Sequence, residues 1–218
     1  MRTIFFSGLF FLFLAVSGQQ AAVGDDNIGG RFGVGPRYIS FSQSDSLLSL
    51  KDTIGGNMFF TIPIKKELGP ISMIGVENAM TFYKTDSESL DGYTRNFSIG
   101  QKLVLEKQFF KSDLSDYRMA FHVGAGYMYH TIRDFRAEDE LEQIADSVDA
   151  YIDMENSWGM VGSAGIDYYP WSIGLLRLNF EYTTGASDVY IRNPSVSVKA
   201  GEVDLSNMSV TLSMGFRF

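Results

Sequence analysis

The sequence contains no cysteine, and it has only two histidines and five prolines among its 218 residues. Without cysteine there is no disulfide framework, no thiol catalysis and no thiolate metal site. Basic residues are also few, because 18 Lys and Arg stand against 26 Asp and Glu and give a formal net charge of −8. A chain with this charge repels phosphate groups, so we expect no nucleic-acid partner.

Long apolar runs are also scarce, and the one that stands out lies at the N-terminus. Arg2 precedes a strongly apolar stretch at residues 4–16, and small residues lead to Gly18. This is the pattern of a secretory signal peptide. The run is shorter than the roughly 20 residues that a membrane-spanning helix needs. We therefore expect residues 1–18 to be a signal peptide and residues 19–218 to form the exported domain.

The last segment, Ser206 to Phe218, has a strict period of two. Apolar residues occupy the even positions from Met208 onward, and polar or small residues and Arg217 occupy the odd ones. Such alternation is typical of a β-strand with two different faces. The segment ends on its apolar face at Phe218, where a soluble sandwich would need further chain to cover it.

Seven earlier segments alternate in the same way, and they have about the length of a tilted membrane strand, which needs roughly 9–11 residues to cross. They are Ile28–Phe41, Asn57–Lys66, Ile71–Tyr83, Tyr93–Glu106, Tyr117–Thr131, Trp158–Tyr168 and Leu176–Thr183. Connections after the odd-numbered segments are mostly long and polar, whereas those after the second and sixth are short. The pattern predicts an all-β fold, an eight-stranded antiparallel up-and-down transmembrane β-barrel.

Eight alternating segments that end on a lipid-facing Phe resemble bacterial outer-membrane β-barrel proteins of the small OmpA/OmpX-like type. The resemblance implies a location in the outer membrane after export through the periplasm, contact with outer-membrane lipid, and recognition of Phe218 by the barrel-assembly machinery. We expect a monomer. Aromatic residues are expected in two interfacial girdles. The outer girdle is Tyr93, Tyr129, Trp158 and Tyr182, and the inner girdle is Tyr168, Tyr169, Trp171, Phe216 and Phe218.

The polar parity of the strands carries charges of both signs. Its charged residues are Arg31, Arg37, Glu77, Lys102, Arg118, Asp167, Arg177 and Glu181. The interior of an eight-stranded barrel is narrow enough for side chains to fill it, and isolated charges there are costly. We therefore expect these residues to pair with one another in the lumen, with a conduction or binding pathway as the alternative. A soluble lipocalin-like barrel is the main competing fold.

Signals for catalysis are weak. Both histidines, His122 and His130, fall on the lumen parity of the fifth segment, and a Ser-His-acid arrangement also needs a nearby serine, which the sequence alone does not establish. The His-x-Ser spacing of the outer-membrane lipid A deacylase family is absent, because Thr131 and Ile132 follow His130. We expect no catalytic residue, no metal site and no cofactor, and we interpret His130 as a hydrogen-bonding lumen residue.

The connection from Arg133 to Asn156 is strongly acidic, with nine acidic and two basic residues. Its apolar residues recur at helical spacing and predict a short amphipathic helix. These residues are Leu141, Ile144, Ala145, Val148 and Ile152. A solvated cap is one interpretation of the segment, and binding of divalent cations or of a cationic surface partner is the other. A second long external loop is expected at Thr184–Val203.

Together these patterns predict a non-enzymatic outer-membrane barrel with a structural or surface-interaction role through its external loops. A narrow channel or small-molecule carrier is the alternative function. A lipid-modifying enzyme is the second alternative. The patterns identify no ligand-binding residue.

Overall fold

The structure is a computed structural model that describes residues 29–42, 49–87, 92–112, 117–137, 151–193 and 195–218, without the side chains of residues 65–67 and 133–137. The predicted signal peptide lies outside the described residues. No helix within these ranges is long and apolar enough to cross a membrane.

The described residues form eleven β-strands. In chain order they are β1 (Arg31–Phe41), β2 (Thr53–Leu68), β3 (Ile71–Asp86), β4 (Gly92–Lys111), β5 (Arg118–Ala137), β6 (Tyr151–Met154), β7 (Ser157–Tyr169), β8 (Gly174–Thr183), β9 (Ala186–Arg192), β10 (Ser197–Asp204) and β11 (Asn207–Arg217).

Eight of these strands close into an antiparallel barrel in the order β1, β11, β8, β7, β5, β4, β3, β2, with β2 paired back to β1. Each barrel strand pairs with the next barrel strand along the chain, and the first and last strands, β1 and β11, pair to close the barrel. This confirms the predicted eight-stranded up-and-down barrel. Closure leaves the barrel sheet without an edge strand, so every barrel strand is paired on both sides.

The side chains of β8 show how the sequence sets the two faces of the wall. Arg177 and Glu181 are at most 5% exposed, whereas Phe180 and Tyr182 are more than half exposed, at 53% and 51%. Charges inside and apolar residues outside are the reverse of a soluble barrel, which excludes the lipocalin-like alternative. An apolar exterior on a closed antiparallel sheet is the arrangement that a membrane-spanning barrel requires.

Six of the eight barrel strands are longer than the sequence pattern predicted, whereas β1 and β11 are slightly shorter. β2 begins at Thr53 rather than Asn57, and β5 continues to Ala137 rather than ending at Thr131. β4 and β5 contain 20 residues each, about twice the 9–11 needed to cross the bilayer. Beyond the predicted segments the period of two is lost, as at the adjacent Phe109 and Phe110 of β4, while the hydrogen-bonded ladder continues.

Two short connections mark the end of the barrel that we call the periplasmic end. The β2–β3 turn contains Gly69 with a φ of 59°, a left-handed conformation that favours glycine. The β7–β8 connection occupies residues 170–173. Both confirm the predicted tight turns, and the start of β1 and the end of β11 lie at this same end.

At the opposite, extracellular end, β6, β9 and β10 form a separate three-stranded sheet in the order β10-β9-β6. We call it the external sheet. The prediction of a loop at Thr184–Val203 is therefore wrong, since β9 and most of β10 lie within it. Ile152 belongs to β6 and pairs with Ile191, so the predicted helix is wrong at that residue. Its other apolar positions lie outside the described residues.

Two apolar clusters fill parts of the interior. The outer cap joins barrel residues to the external sheet and to the segments beside it. It consists of Ile39, Phe41, Leu50, Tyr83, Ile132, Met154, Val189, Val203 and Leu205. The inner cluster consists of Phe59, Ala79, Ala120, Tyr169 and Leu175. Apolar side chains of the external sheet thus pack into the barrel mouth, which ties the sheet to the wall.

Candidate functional site

Among the residues that the structure describes, eight charged side chains are buried in the lumen, and we call them the lumen network. They are Arg31, Arg37, Lys102 and Arg177 together with Glu77, Glu106, Asp167 and Glu181, and each is between 0% and 5% exposed. Four cations and four carboxylates leave no net charge on this set when all are ionised. Buried charges persist in proteins when they are paired in this way.

Their contacts form one continuous series in which the sign of the charge changes at every step. The order is Glu106, Arg31, Asp167, Arg177, Glu77, Lys102, Glu181 and Arg37. At its far end Arg37 Nη1 donates a hydrogen bond to Thr81 Oγ1 at 3.2 Å. Because the series draws on β1, β3, β4, β7 and β8, it connects strands from several sides of the barrel through its interior.

Arg177 holds the centre of the series. Its Nε and Nη2 donate to the two carboxylate oxygens of Asp167 at 2.7 and 2.8 Å, and its Nη1 donates to Glu77 Oε2 at 2.5 Å. The guanidinium carbon also lies 4.0 Å from the ring centroid of Phe59. A bidentate ion pair combined with a cation–π contact fixes the orientation of this side chain.

The extracellular half of the network is built around Lys102 and Glu181. Lys102 Nζ donates to Glu181 Oε2 at 2.7 Å and lies 3.0 Å from Glu77 Oε1. Arg37 Nη2 lies 2.5 Å from the other oxygen of Glu181. Each carboxylate oxygen of Glu181 therefore faces a different cation, and neither oxygen is left without a charged partner.

Arg31 anchors the periplasmic half. It contacts Glu106 and lies 2.7 Å from Asp167, and its guanidinium carbon is 5.6 Å from the ring centroid of Tyr169. Tyr169 was predicted in the inner girdle, but it is only 2% exposed and lies in the lumen. The prediction was wrong because adjacent residues in a strand face opposite sides, so Tyr168 and Tyr169 cannot both face lipid.

Both histidines lie in the lumen, as predicted. His122 Nε2 is 3.0 Å from Asn179 Oδ1, and its Nδ1 is 3.3 Å from Asp167 Oδ1. His130 Nδ1 is 2.9 Å from Ser98 Oγ. This serine was not found from the sequence, because its proximity depends on the β4–β5 register, which pairs Ser98 with His130. Both members of the pair are buried.

Seven of the eight predicted lumen charges join the network. Arg118, the eighth, is only half-buried near the periplasmic end. Glu106 was not among the predicted charges, although it shares the parity of Lys102 and lies four residues further along β4. The lumen position of Glu106 could therefore have been predicted from its parity, since Glu106 is the last residue of the predicted fourth segment.

The outward surface of the external sheet combines charged and apolar side chains. Arg192 Nε lies 2.9 Å from Asp153 Oδ2, and Lys199 Nζ donates to Asp188 Oδ1 at 2.7 Å. That hydrogen bond raises the pKa of Lys199. Large apolar side chains are exposed beside these pairs. They are Tyr151, Ile191, Val196 and Val198, each 50–55% exposed.

No protein-family model matches the chain, and no curated protein matches it significantly. Among solved structures, the outer membrane protein OprG of Pseudomonas aeruginosa is similar at 15% identity, over 88% of this chain and 97% of that chain, with a TM-score of 0.61. AlkL, solved in lipid bilayers, is similar at 11% identity over 92% and 95%, with a TM-score of 0.53.

The outer membrane protein W of E. coli matches at 18% identity over 87% of this chain and 98% of that chain, with a TM-score of 0.48. The two higher-scoring similarities agree with the closed barrel of this chain. The fold is that of small eight-stranded bacterial outer-membrane barrels, and the apolar exterior is the surface that such a barrel presents to lipid.

Proposed function

We propose that this small outer-membrane barrel is a non-enzymatic surface protein, in which the lumen is a structural core and the extracellular end carries the interaction surface. The observation that supports this most directly is the lumen network. Its eight charges pair with one another inside the barrel, and the apolar outer cap lies over them at the extracellular end.

The packing of the lumen argues against a conducting pathway, which is the alternative function. Ion passage requires a continuous hydrated path along the axis. In this barrel Arg177 and Glu181 are held to residues of other strands across the lumen by contacts of 2.5–2.8 Å. Separating a buried, hydrogen-bonded ion pair costs about 3–5 kcal/mol when one partner is left uncompensated. Several such pairs would have to separate together to open the barrel.

The Ser98–His130 pair does not favour the enzyme alternative. Ser98 is 1% exposed and His130 is 2% exposed, so neither side chain meets lipid or solvent in this conformation. A catalytic serine must reach a substrate carbonyl, and an oxyanion must meet donors placed beside it. We assign the pair a structural role as a hydrogen bond between β4 and β5.

The external sheet is a rigid support for recognition. Met154, Val189 and Val203 pack in the outer cap and hold its three strands against the barrel. Recognition residues are commonly placed on surface segments that a rigid scaffold positions. The sequence between β5 and β6, residues 138–150, contains six acidic residues and no basic residue. We propose that this segment attracts a cationic partner to the extracellular end.

The proposal is tested by replacing residues 138–150 with a Gly/Ser linker of equal length. A second variant keeps the segment and changes its six acidic residues to Asn or Gln. Binding of the barrel in nanodiscs to immobilised polylysine is measured at low and high salt, with polyglutamate as the control surface. Resistance of each variant to unfolding in detergent until the sample is boiled serves as the folding control.

We expect both variants to fold and both to lose binding to polylysine, and wild-type binding to weaken as salt screens exposed charges beyond about 8–10 Å. Equal binding by the wild type and both variants would contradict the assignment of this segment. In that case the interaction surface would have to be sought on β9 and β10.

A further inference from the structure

A groove of about 400 Å³ crosses the lipid-facing side of the barrel over β1, β11, β8 and β7. Two rows of neighbouring side chains border it. One row is Tyr38, Val210, Phe180 and Ala164, and the other is Ser40, Met208, Tyr182 and Gly162. Each row follows the interstrand pairing, so the groove runs across the strands rather than along them.

The groove has an apolar floor and aromatic walls. Between the two rows lie Ser163, Glu181 and Ser209, which belong to the lumen parity and therefore present their backbone to the outside. Tyr38, which is 48% exposed, forms a wall at the β1 end, and the aromatic residues of β8 form walls further along. At Gly162 an added Cβ would meet no atom within 4 Å, so the groove is open at this position.

The groove descends from the extracellular rim toward the middle of the barrel wall. Ser40 and Met208 lie one residue from the extracellular ends of β1 and β11. On β7, Gly162 lies four residues from Trp158 and six from Tyr168, which were predicted in the outer and inner girdles. Barrel strands tilt by about 35–45°, so a row that begins at the rim on one strand lies deeper on its neighbours.

The dimensions and polarity of the groove match one acyl chain. Four strands span three interstrand spacings of about 4.8 Å, so the groove is about 14 Å long. At a strand tilt of about 35–45° it descends about 8–10 Å, which lies within one leaflet of about 15 Å. Polar groups cluster at the shallow end, where Asp52 accepts hydrogen bonds from Tyr38 OH at 2.7 Å and from Ser40 Oγ at 3.0 Å. The deep end, at Gly162 and Ala164, is apolar.

We propose that this groove binds one acyl chain of a lipid in the extracellular leaflet. The groove is continuous with the lipid-facing exterior, so lipid reaches it without any opening of the barrel. The chain would enter beside Ser40 at the interface and end over Gly162 near mid-membrane. Burial of methylene groups against Phe180 and Tyr182 would hold this chain longer than the acyl chains on the rest of the barrel surface.

The test is native mass spectrometry of the full barrel, extracted by detergent from vesicles of dimyristoyl phosphatidylcholine. Gly162→Phe fills the groove from its open position, and Gly162→Ala adds a single methyl group. Val76→Phe is the matched control, because it adds an aromatic ring to the lipid face of β3, on the opposite side of the barrel. Resistance to unfolding before boiling shows that each variant is folded.

We expect the wild type, Gly162→Ala and Val76→Phe to retain one lipid at detergent concentrations that remove all other lipid. Gly162→Phe should be lipid-free under the same conditions. Three results would overturn the proposal: no retained lipid on the wild type, equal retention by Gly162→Phe, or a wild-type dimer without lipid, which would assign the groove to a second copy of the chain. If Gly162→Phe does not fold, Ala164→Phe replaces it with the same expectations.

Discussion

Glu181 shows at the scale of single residues how the barrel interior is stabilised. Its two carboxylate oxygens face Lys102 and Arg37 at 2.7 and 2.5 Å, and the residue is 5% exposed. Removing the carboxylate would leave two buried cations with one counter-charge fewer between them. The neighbouring Phe180 points to lipid, where a change of apolar side chain alters little besides packing.

We therefore predict that Glu181→Leu lowers the free energy of unfolding by about 3–5 kcal/mol, the usual result of breaking a buried ion pair from one side. Glu181→Gln keeps hydrogen-bonding capacity without the charge and should lose less. Phe180→Leu is the control on the same strand and should lose less than either. Urea unfolding in lipid vesicles measures the free energy of unfolding of all three variants. An unchanged value for Glu181→Leu would show that the network contributes nothing to stability.

The residues of this network also show which features of the lumen can be predicted from the sequence. Seven of its eight members were predicted to lie in the lumen, because lipid outside the wall forces charged residues to the inner parity. Their partners were not predictable. The contact between Arg31 and Asp167 joins residues 136 positions apart, and it depends on the barrel register and the diameter, neither of which appears in one strand's pattern.

Among the structural elements, the external sheet differs most from the sequence prediction. The barrel strands were recognisable because bilayer and lumen impose opposite polarity on their two faces. β6, β9 and β10 have only 4, 7 and 8 residues and meet water on one side. β10 also carries a register shift between Lys199 and Gly201, which interrupts the period of two. Their strand character thus depends on pairing rather than on local pattern.

The attachment of the external sheet to the barrel depends on the outer cap. Val203 is 0% exposed within this cap, whereas Val198 on the same strand is 54% exposed. We predict that Val203→Asp detaches the sheet, because a carboxylate buried without a partner is costly. Val198→Asp is the matched control and should have no effect.

Limited proteolysis of the folded barrel in nanodiscs measures this detachment. Cleavage between residues 184 and 206 should become faster in Val203→Asp only, while the barrel still resists unfolding before boiling. Equal cleavage rates in the two variants would show that the cap does not hold the sheet. Loss of the barrel in Val203→Asp would show instead that the cap is needed for barrel stability.

At the scale of the whole molecule, one closed wall encloses an interior filled by side chains. β1 and β11 close the barrel, and near this seam Phe218 donates its backbone N–H to Gly30 at 3.0 Å and stacks on Phe60 at 5.5 Å between ring centroids. Inside, the lumen network lies between strands from several sides of the wall, and the outer cap packs at the extracellular mouth. We propose that the surface of this barrel serves interaction and lipid contact and that its interior serves stability.

The most direct test of this account is the ion conductance of the purified full-length barrel in planar lipid bilayers. We predict no current steps above those of the bare bilayer for the wild type, because the paired charges of the lumen network and the apolar side chains of the outer cap occupy the interior. Glu181→Gln, which keeps the packing, should also be silent. Steady wild-type steps whose ion selectivity changes in Glu181→Gln would contradict the account and identify the lumen as a channel.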